Sequence, residues 1–315
     1  MPAFGIILAE MDQEREDIQL SSSEPFRLLR WKNSVNSVEV VKAGRANPIR
    51  GFGDHWHFHR AMELTFIAHG GGTRFVADHI EMFHTGDLVL IGSNVPHYWH
   101  SPRRYAGLSL QWDFPPEHGI WNFGEAVAPL RTLSKAALRG LHLYGPTAAA
   151  AAKAMAELAD LDGLPRLLAF LELLSSITRA PPEEIRPLAA RAFSIEGTAD
   201  HQDAIARAVS YILAHHHEPV RLKDLLRLTG MSRATFARQF VRHAGKPFSV
   251  FVNQVRLQAV CRALIESKTP ISTIAFDHGF NQLSFFNRIF RRELGTSPTE
   301  YRSRPLPGHS TDAEP

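Results

Sequence analysis

The sequence predicts an α+β chain of two domains: a small all-β barrel or sandwich with a helical hairpin, then an all-α domain holding two helix-turn-helix units. Three observations carry this. A five-residue pattern, Phe236-Ala237-Arg238-Gln239-Phe240, returns fifty positions later as Phe286-Asn287-Arg288-Ile289-Phe290. The texture changes from short β-branched runs before residue 114 to helix formers after Thr147. The charge is also divided: residues 1–200 hold 19 Lys+Arg against 23 Asp+Glu, and residues 201–304 hold 16 against 7, although the whole chain is only +3. A length of 315 residues allows about two independent cores.

The elements follow in order. Residues 38–41, 63–68, 73–77 and 88–91 are rich in Val, Ile, Leu and Thr and are separated by Gly, Asn, Asp and Pro, the spacing of an all-β unit. Residues 148–159 and 164–177 read as two helices broken at Asp162-Gly163. Leu164, Leu167, Leu168, Leu171 and Leu174 are spaced as one apolar stripe, which would pack on the β unit or on a second copy of itself. Pro181-Pro182 opens a charged connector. The expected division is residues 1–145 for an effector-binding domain, 146–200 for hairpin and linker, 201–304 for the helical domain and 305–315 for a disordered tail.

Within 201–304, Leu222 to Leu228 leads the first unit, Gly230 turns and Ser232 caps the next helix. In the second, Ile271 to His278 leads, Gly279 turns, Phe280 fills the angle and Asn281 is the expected cap. Each following helix buries its two Phe and presents a polar stripe: Ala234, Ala237, Arg238 and Val241 in one, Ser284, Asn287, Arg288 and Arg291 in the other. A short second helix with such a stripe is a common way to enter the DNA major groove. Arg238 and Arg288 have the geometry for a guanine edge and Asn287 for an adenine edge. Arg233, Arg242, Arg291 and Arg292 lie at helix edges or ends, where phosphate contact is expected. The bland alternative for any one arginine is a solvated surface.

Leu225 to Phe240, and Ile274 to Phe280 through Thr296-Ser297-Pro298-Thr299-Glu300-Tyr301-Arg302, resemble the DNA-binding domain of AraC/XylS-type transcriptional regulators. The resemblance implies two recognition helices joined by one long helix, here residues 248–267, on double-stranded promoter or operator DNA. It also implies a small-molecule effector, RNA polymerase as a further partner, and dimerisation through the hairpin.

Upstream, Gly51, His57, His59, Glu63 and Gly70, then Gly86 and His97, form a second pattern. His57 and His59 share a strand face, and three imidazoles with a carboxylate suit a divalent transition metal. The spacing resembles the two motifs of cupin barrels, with departures at Gly92, Asn94 and Ser101. Two readings stay open: His57, His59, Glu63 and His97 as metal ligands, or as polar groups of an effector pocket. Trp56 and Trp99 flank the motif and are expected as pocket walls, which suggests a carbohydrate effector. A cupin metalloenzyme of dioxygenase or isomerase type fused to a DNA-binding domain is the alternative to a non-enzymatic regulator.

Cys261 is the sole cysteine, so no intrachain disulfide forms, and it is read as core filler. No apolar run approaches the ~18 residues of a membrane span. A soluble, cytoplasmic protein without a membrane partner is expected.

Overall fold

The computed structural model describes residues 18, 20, 25–32, 37–51, 53, 56–101, 104–193 and 199–303. The expected tail, 305–315, lies outside them. Nine strands come first: β1 Phe26–Lys32, β2 Ser37–Lys42, β3 Arg45–Arg50, β4 Met62–His69, β5 Gly72–Val76, β6 His79–Phe83, β7 Leu88–Ile91, β8 His97–His100 and β9 Ala106–Trp112. Helix α1 (Ala128–Ala137), strand β10 (Leu141–Leu143), helices α2 (Gly145–Glu157) and α3 (Gly163–Thr178) and strand β11 (Ile185–Pro187) complete this half. Eight strands form one antiparallel sheet in the order β11-β10-β7-β4-β9-β1-β2-β3, and β6-β5-β8 form a second.

Alternation along the strands sorts side chains into two layers. Phe26 and Leu28 of β1, Met62 and Leu64 of β4, Leu88 and Leu90 of β7, and Leu110 and Trp112 of β9 face α1, α2 and α3. Leu29, Trp31, Ile67, Val89 and Ile91 point the other way, into a core shared with Val76, Phe83 and Trp99 of the small sheet. A cavity opens within this second layer. Gly107 is needed beside it, because a Cβ there would lie 2.1 Å from the Phe66 carbonyl oxygen and 2.6 Å from the Trp31 ring.

The hairpin differs from its expected stripe. Phe170, Leu173, Leu174 and Ile177 pack on the large sheet, and Arg166 is buried, donating to the Val41 carbonyl at 3.0 Å. Leu164, Leu167 and Leu168 are instead 65%, 37% and 57% exposed. The buried stripe is rotated because the sheet selects the face carrying the aromatic ring, and Phe26 stacks on Phe170 at 4.1 Å. The expected connector is also partly structural. Residues 185–187 pair with β10, and Leu188, Ala189 and Phe193 are buried in the second core layer.

The helical half comprises α4 (Ala199–His215), α5 (Leu222–Thr229), α6 (Arg233–Ala244), α7 (Phe248–Glu266), α8 (Ile271–Asp277), α9 (Leu283–Leu294) and α10 (Pro298–Arg302). Among the described residues, no helix is long and apolar enough to cross a membrane.

Candidate DNA interface and effector cavity

In the first unit α5 ends at Gly230, whose φ of 66° is the left-handed corner, and the Ser232 hydroxyl accepts from the Thr235 amide at 3.2 Å. Helix α6 buries Phe236 and Phe240, which pack edge-on against Phe248 and Phe251 of α7. Arg233, Ala234, Ala237, Arg238 and Arg242 are exposed, while Val241 is half-buried. The second unit repeats the plan with Gly279 at φ 84° and Phe280 buried in the angle. Its cap is Gln282, not Asn281, and the Gln side chain makes no capping bond. The caps are therefore fifty apart, matching the Phe pairs, and the extra turn residue precedes the cap.

Helix α9 buries Phe286, Ile289 and Phe290, and exposes Ser284, Asn287, Arg288, Arg291 and Arg292. Ile289 is a third anchor that the repeated Phe pair concealed. The Arg288 guanidinium lies 5.5 Å from the Phe285 ring centre, and Arg292 pairs with Glu293 at 2.7 Å. Both aromatic anchors are seated, so the stripes are held outward by packing rather than by polar bonds. Cys261 is buried, which pushes its thiol up to about 12 and leaves it unreactive near neutral pH.

The second site is a cavity of about 60 Å³ between the two sheets, several times the ~10–15 Å³ one water requires. Trp31, His57, Glu63, His97, Trp99 and Gln111 are among the residues that line it. A bridge pairs the His57 and His97 backbones, and their rings lie 4.3 Å apart between centres. His59 lies 4.9 Å from His97 between ring centres but does not line the cavity. Trp56, expected as a wall, is elsewhere. It is 2% exposed and packs at 6.0 Å on Phe251 of α7, because neighbouring residues on an extended chain face opposite ways. Trp31 from β1 takes the place expected for it; only the register of β1 on β9 reveals this.

Glu63 is fully engaged. Gln111 donates to it at 2.6 Å, Ser109 at 2.9 Å and His59 at 3.2 Å, and Thr65 donates as well. Burial alone would raise this carboxyl, but the His59 hydrogen bond and its neighbours hold it well below the usual carboxylate range. His59 places one ring nitrogen 2.8 Å from the Ala61 carbonyl oxygen and the other 3.2 Å from a Glu63 carboxylate oxygen. His57, His59 and His97 do bring one ring nitrogen each within 4.8 Å of the others. Glu63 lies outside the group those three nitrogens form, and its oxygens accept from Gln111, Ser109 and Thr65, so the four-ligand metal set does not fit as it stands.

A helix-turn-helix domain profile matches residues 225–304. The regulatory protein PocR of Salmonella typhimurium is 31% identical over 108 residues, 34% of this chain and 36% of PocR, so the chain spans about a third of that relative. SoxS of the same organism is 29% identical over 104 residues, 33% of this chain and 97% of SoxS. The C-terminal domain is an AraC-type helix-turn-helix domain. ToxT from Vibrio cholerae O395, bound to (E)-4-(8-methylnaphthalen-1-yl)but-3-enoic acid, overlaps 89% of this chain and 98% of its own at 12% identity. Its TM-score of 0.33 is too low to carry a pocket or ligand across.

The AraC-type domain packs on the outer face of the small sheet. Phe75 and Trp56 join the core of its first unit, with Tyr98 and Ile80 packed alongside. The Lys246 ammonium donates to the Asp78 carbonyl, Gln258 to the Ile80 carbonyl at 3.2 Å, and Arg191 to the Val241 carbonyl at 3.2 Å. Strand β8 thus serves two sites. Its His97 and Trp99 face the cavity, and its Tyr98 faces the AraC-type domain.

Proposed function

We propose that this protein is a ligand-responsive, sequence-specific DNA-binding transcription regulator that binds double-stranded promoter or operator DNA through α6 and α9. The observation that carries this reading is the repeated, Phe-anchored presentation of exposed Arg238 and Arg288 on the two second helices of an AraC-type domain. The regulatory names of PocR and SoxS agree with it. Arg288 and Asn287 read base edges, and Arg233, Arg242, Arg291 and Arg292 supply phosphate contacts. Selection of bound sequences from genomic fragments by the full-length protein tests this directly. Equal retention of random and genomic DNA would overturn it.

The cavity is the effector site in this reading, with a small molecule, of which a carbohydrate is one class, between the sheets. Support comes from β8: a ligand that moves His97 or Trp99 moves the strand carrying Tyr98, and with it the seat of α7. A ligand shifts the DNA-competent population by as much as its affinity differs between the two domain arrangements. The exposed Leu164, Leu167 and Leu168 on α3 are the surface for a homodimer, and RNA polymerase is the expected further partner. A metalloenzyme reading is disfavoured by the spent donor set around Glu63.

A further inference from the structure

We infer that Phe285 is a positioning residue for base readout: its ring, seated on the core of the second unit, holds the Arg288 guanidinium ready for a guanine edge. The inference rests on the DNA-binding reading above and goes beyond it by naming the side chain that sets how well one arginine reads.

Thr235 and Phe285 occupy one register of the repeat, three residues after the caps Ser232 and Gln282 and three before Arg238 and Arg288. On a helix that spacing makes neighbours, and a long side chain leans towards the N-terminus, onto the residue three or four before it. In α9 that residue is aromatic. Phe285 is half-buried and packed against the core that includes Phe286 and Phe290, and Cζ of the exposed Arg288 stands 5.5 Å from its ring centre. In α6 the residue is Thr235, whose hydroxyl accepts from Ser232 at 3.0 Å as part of the cap. Among the described residues no aromatic ring lies under Arg238.

A guanidinium over a ring face spends none of its N–H donors, so the fork remains free for O6 and N7 of guanine. An arginine in open solvent gives up its rotamer freedom when it engages a base, whereas one already resting on a ring has surrendered part of it beforehand. Arg292 on the same helix is held differently. It pairs with Glu293 at 2.7 Å, and that carboxylate competes with DNA for the guanidinium. The Phe285 ring presents no such rival. An exposed contact of this kind corresponds to about two- to fivefold in an equilibrium constant.

The test is equilibrium binding by the full-length chain to the duplex it selects from genomic fragments, with each base pair substituted in turn. Arg288→Ala marks the base pair that Arg288 reads. Phe285→Leu and Phe285→Met keep apolar bulk on the core and remove the ring face. Each is expected to lower discrimination at that pair about two- to fivefold and to leave the other pairs and random DNA within about twofold. Phe285→Tyr restores a ring and is expected to retain the discrimination. In an Arg288→Ala background, Phe285→Leu is expected to add nothing at that pair. Unchanged discrimination in both ringless variants, a loss spread evenly over all pairs, an equal loss in Phe285→Tyr, or a loss that persists without Arg288 overturns the inference while the regulator reading stands. So does a selected duplex in which Arg288→Ala relaxes no base pair. A chain that selects no duplex, retaining random and genomic DNA alike, overturns both.

Discussion

Gly245 and Gly295 occupy equivalent positions, the left-handed residue ending each recognition helix, with φ 75° and 65°. A methyl group added at Gly245 would sit 2.3 Å from the Asp78 Cβ and 2.6 Å from the Phe193 ring. One added at Gly295 meets nothing within 4 Å. The first unit is thus pressed into the β-rich half, and its core includes Trp56 and Phe75. The second is built around its own helices and α7, with Met82 of β6 packed against it. Duplicated local structure has been given unequal surroundings: the first unit meets the β-rich half through Asp78, Phe193, Trp56 and Phe75, and the second through Met82.

The largest test of that asymmetry is Trp56→Ala, expected to cost about 3–5 kcal/mol in denaturant unfolding of the full chain, as for other buried aromatics. A loss near zero would mean the indole does not join the two halves. Gly295→Ala should cost about 1–2 kcal/mol for the left-handed backbone alone. Gly245→Ala adds the collision with Asp78 and Phe193, so it should lower Tm further and separate the thermal transition into two. Matching Tm values for the pair would erase the distinction between the units.

A graded weakening with acid comes next. His100 at the end of β8 and His278 after α8 lie near His216 and Arg262, and burial pushes both down from 6.5 to about 4. Their protons bind more readily when unfolded, so this part of the stability is complete above pH 6.5 and is lost as pH falls towards 4. Urea midpoints across that window check it; a flat profile would place these rings in water.

On the DNA side, Arg288→Ala should cost about 1–3 kcal/mol at one operator position and leave other positions unchanged. Arg292→Ala should weaken all sequences alike and reduce the salt slope by about 0.9. The smallest contrast is between the caps. Ser232→Ala should cost about 1 kcal/mol, whereas Gln282→Ala, with no capping bond to lose, should stay within ~0.5 kcal/mol.

The helical half was legible from its residues because its determinants are local. Two Phe at i and i+4 share a helix face, a Gly permits positive φ, and a Ser before the helix accepts from its orphan amides, wherever the helix is placed. Asn281 is the cap its residue type favours, but a small polar residue after a turn is favourable at more than one position, and the neighbouring Gln282 takes the role. The apolar spacing of α3 identified a helix but not its buried face, since Leu164 and Phe170 compete for the same sheet and the ring wins.

In the β-rich half the His57, His59, Glu63 and His97 cluster could be located from spacing, but its wiring could not. Strand alternation says which residues share a face and nothing about what that face meets. Cross-strand register set Gln111 beside Glu63 and Ser109 beside Thr65, which consumed the carboxylate. By itself, the chain's local chemistry determined two capped helices with arginines outward and a histidine-bearing β unit. The stacking of helices, large sheet, small sheet and AraC-type domain decided that Trp31 lines the cavity and Trp56 the domain contact, because burial of a strand face depends on the layer placed against it.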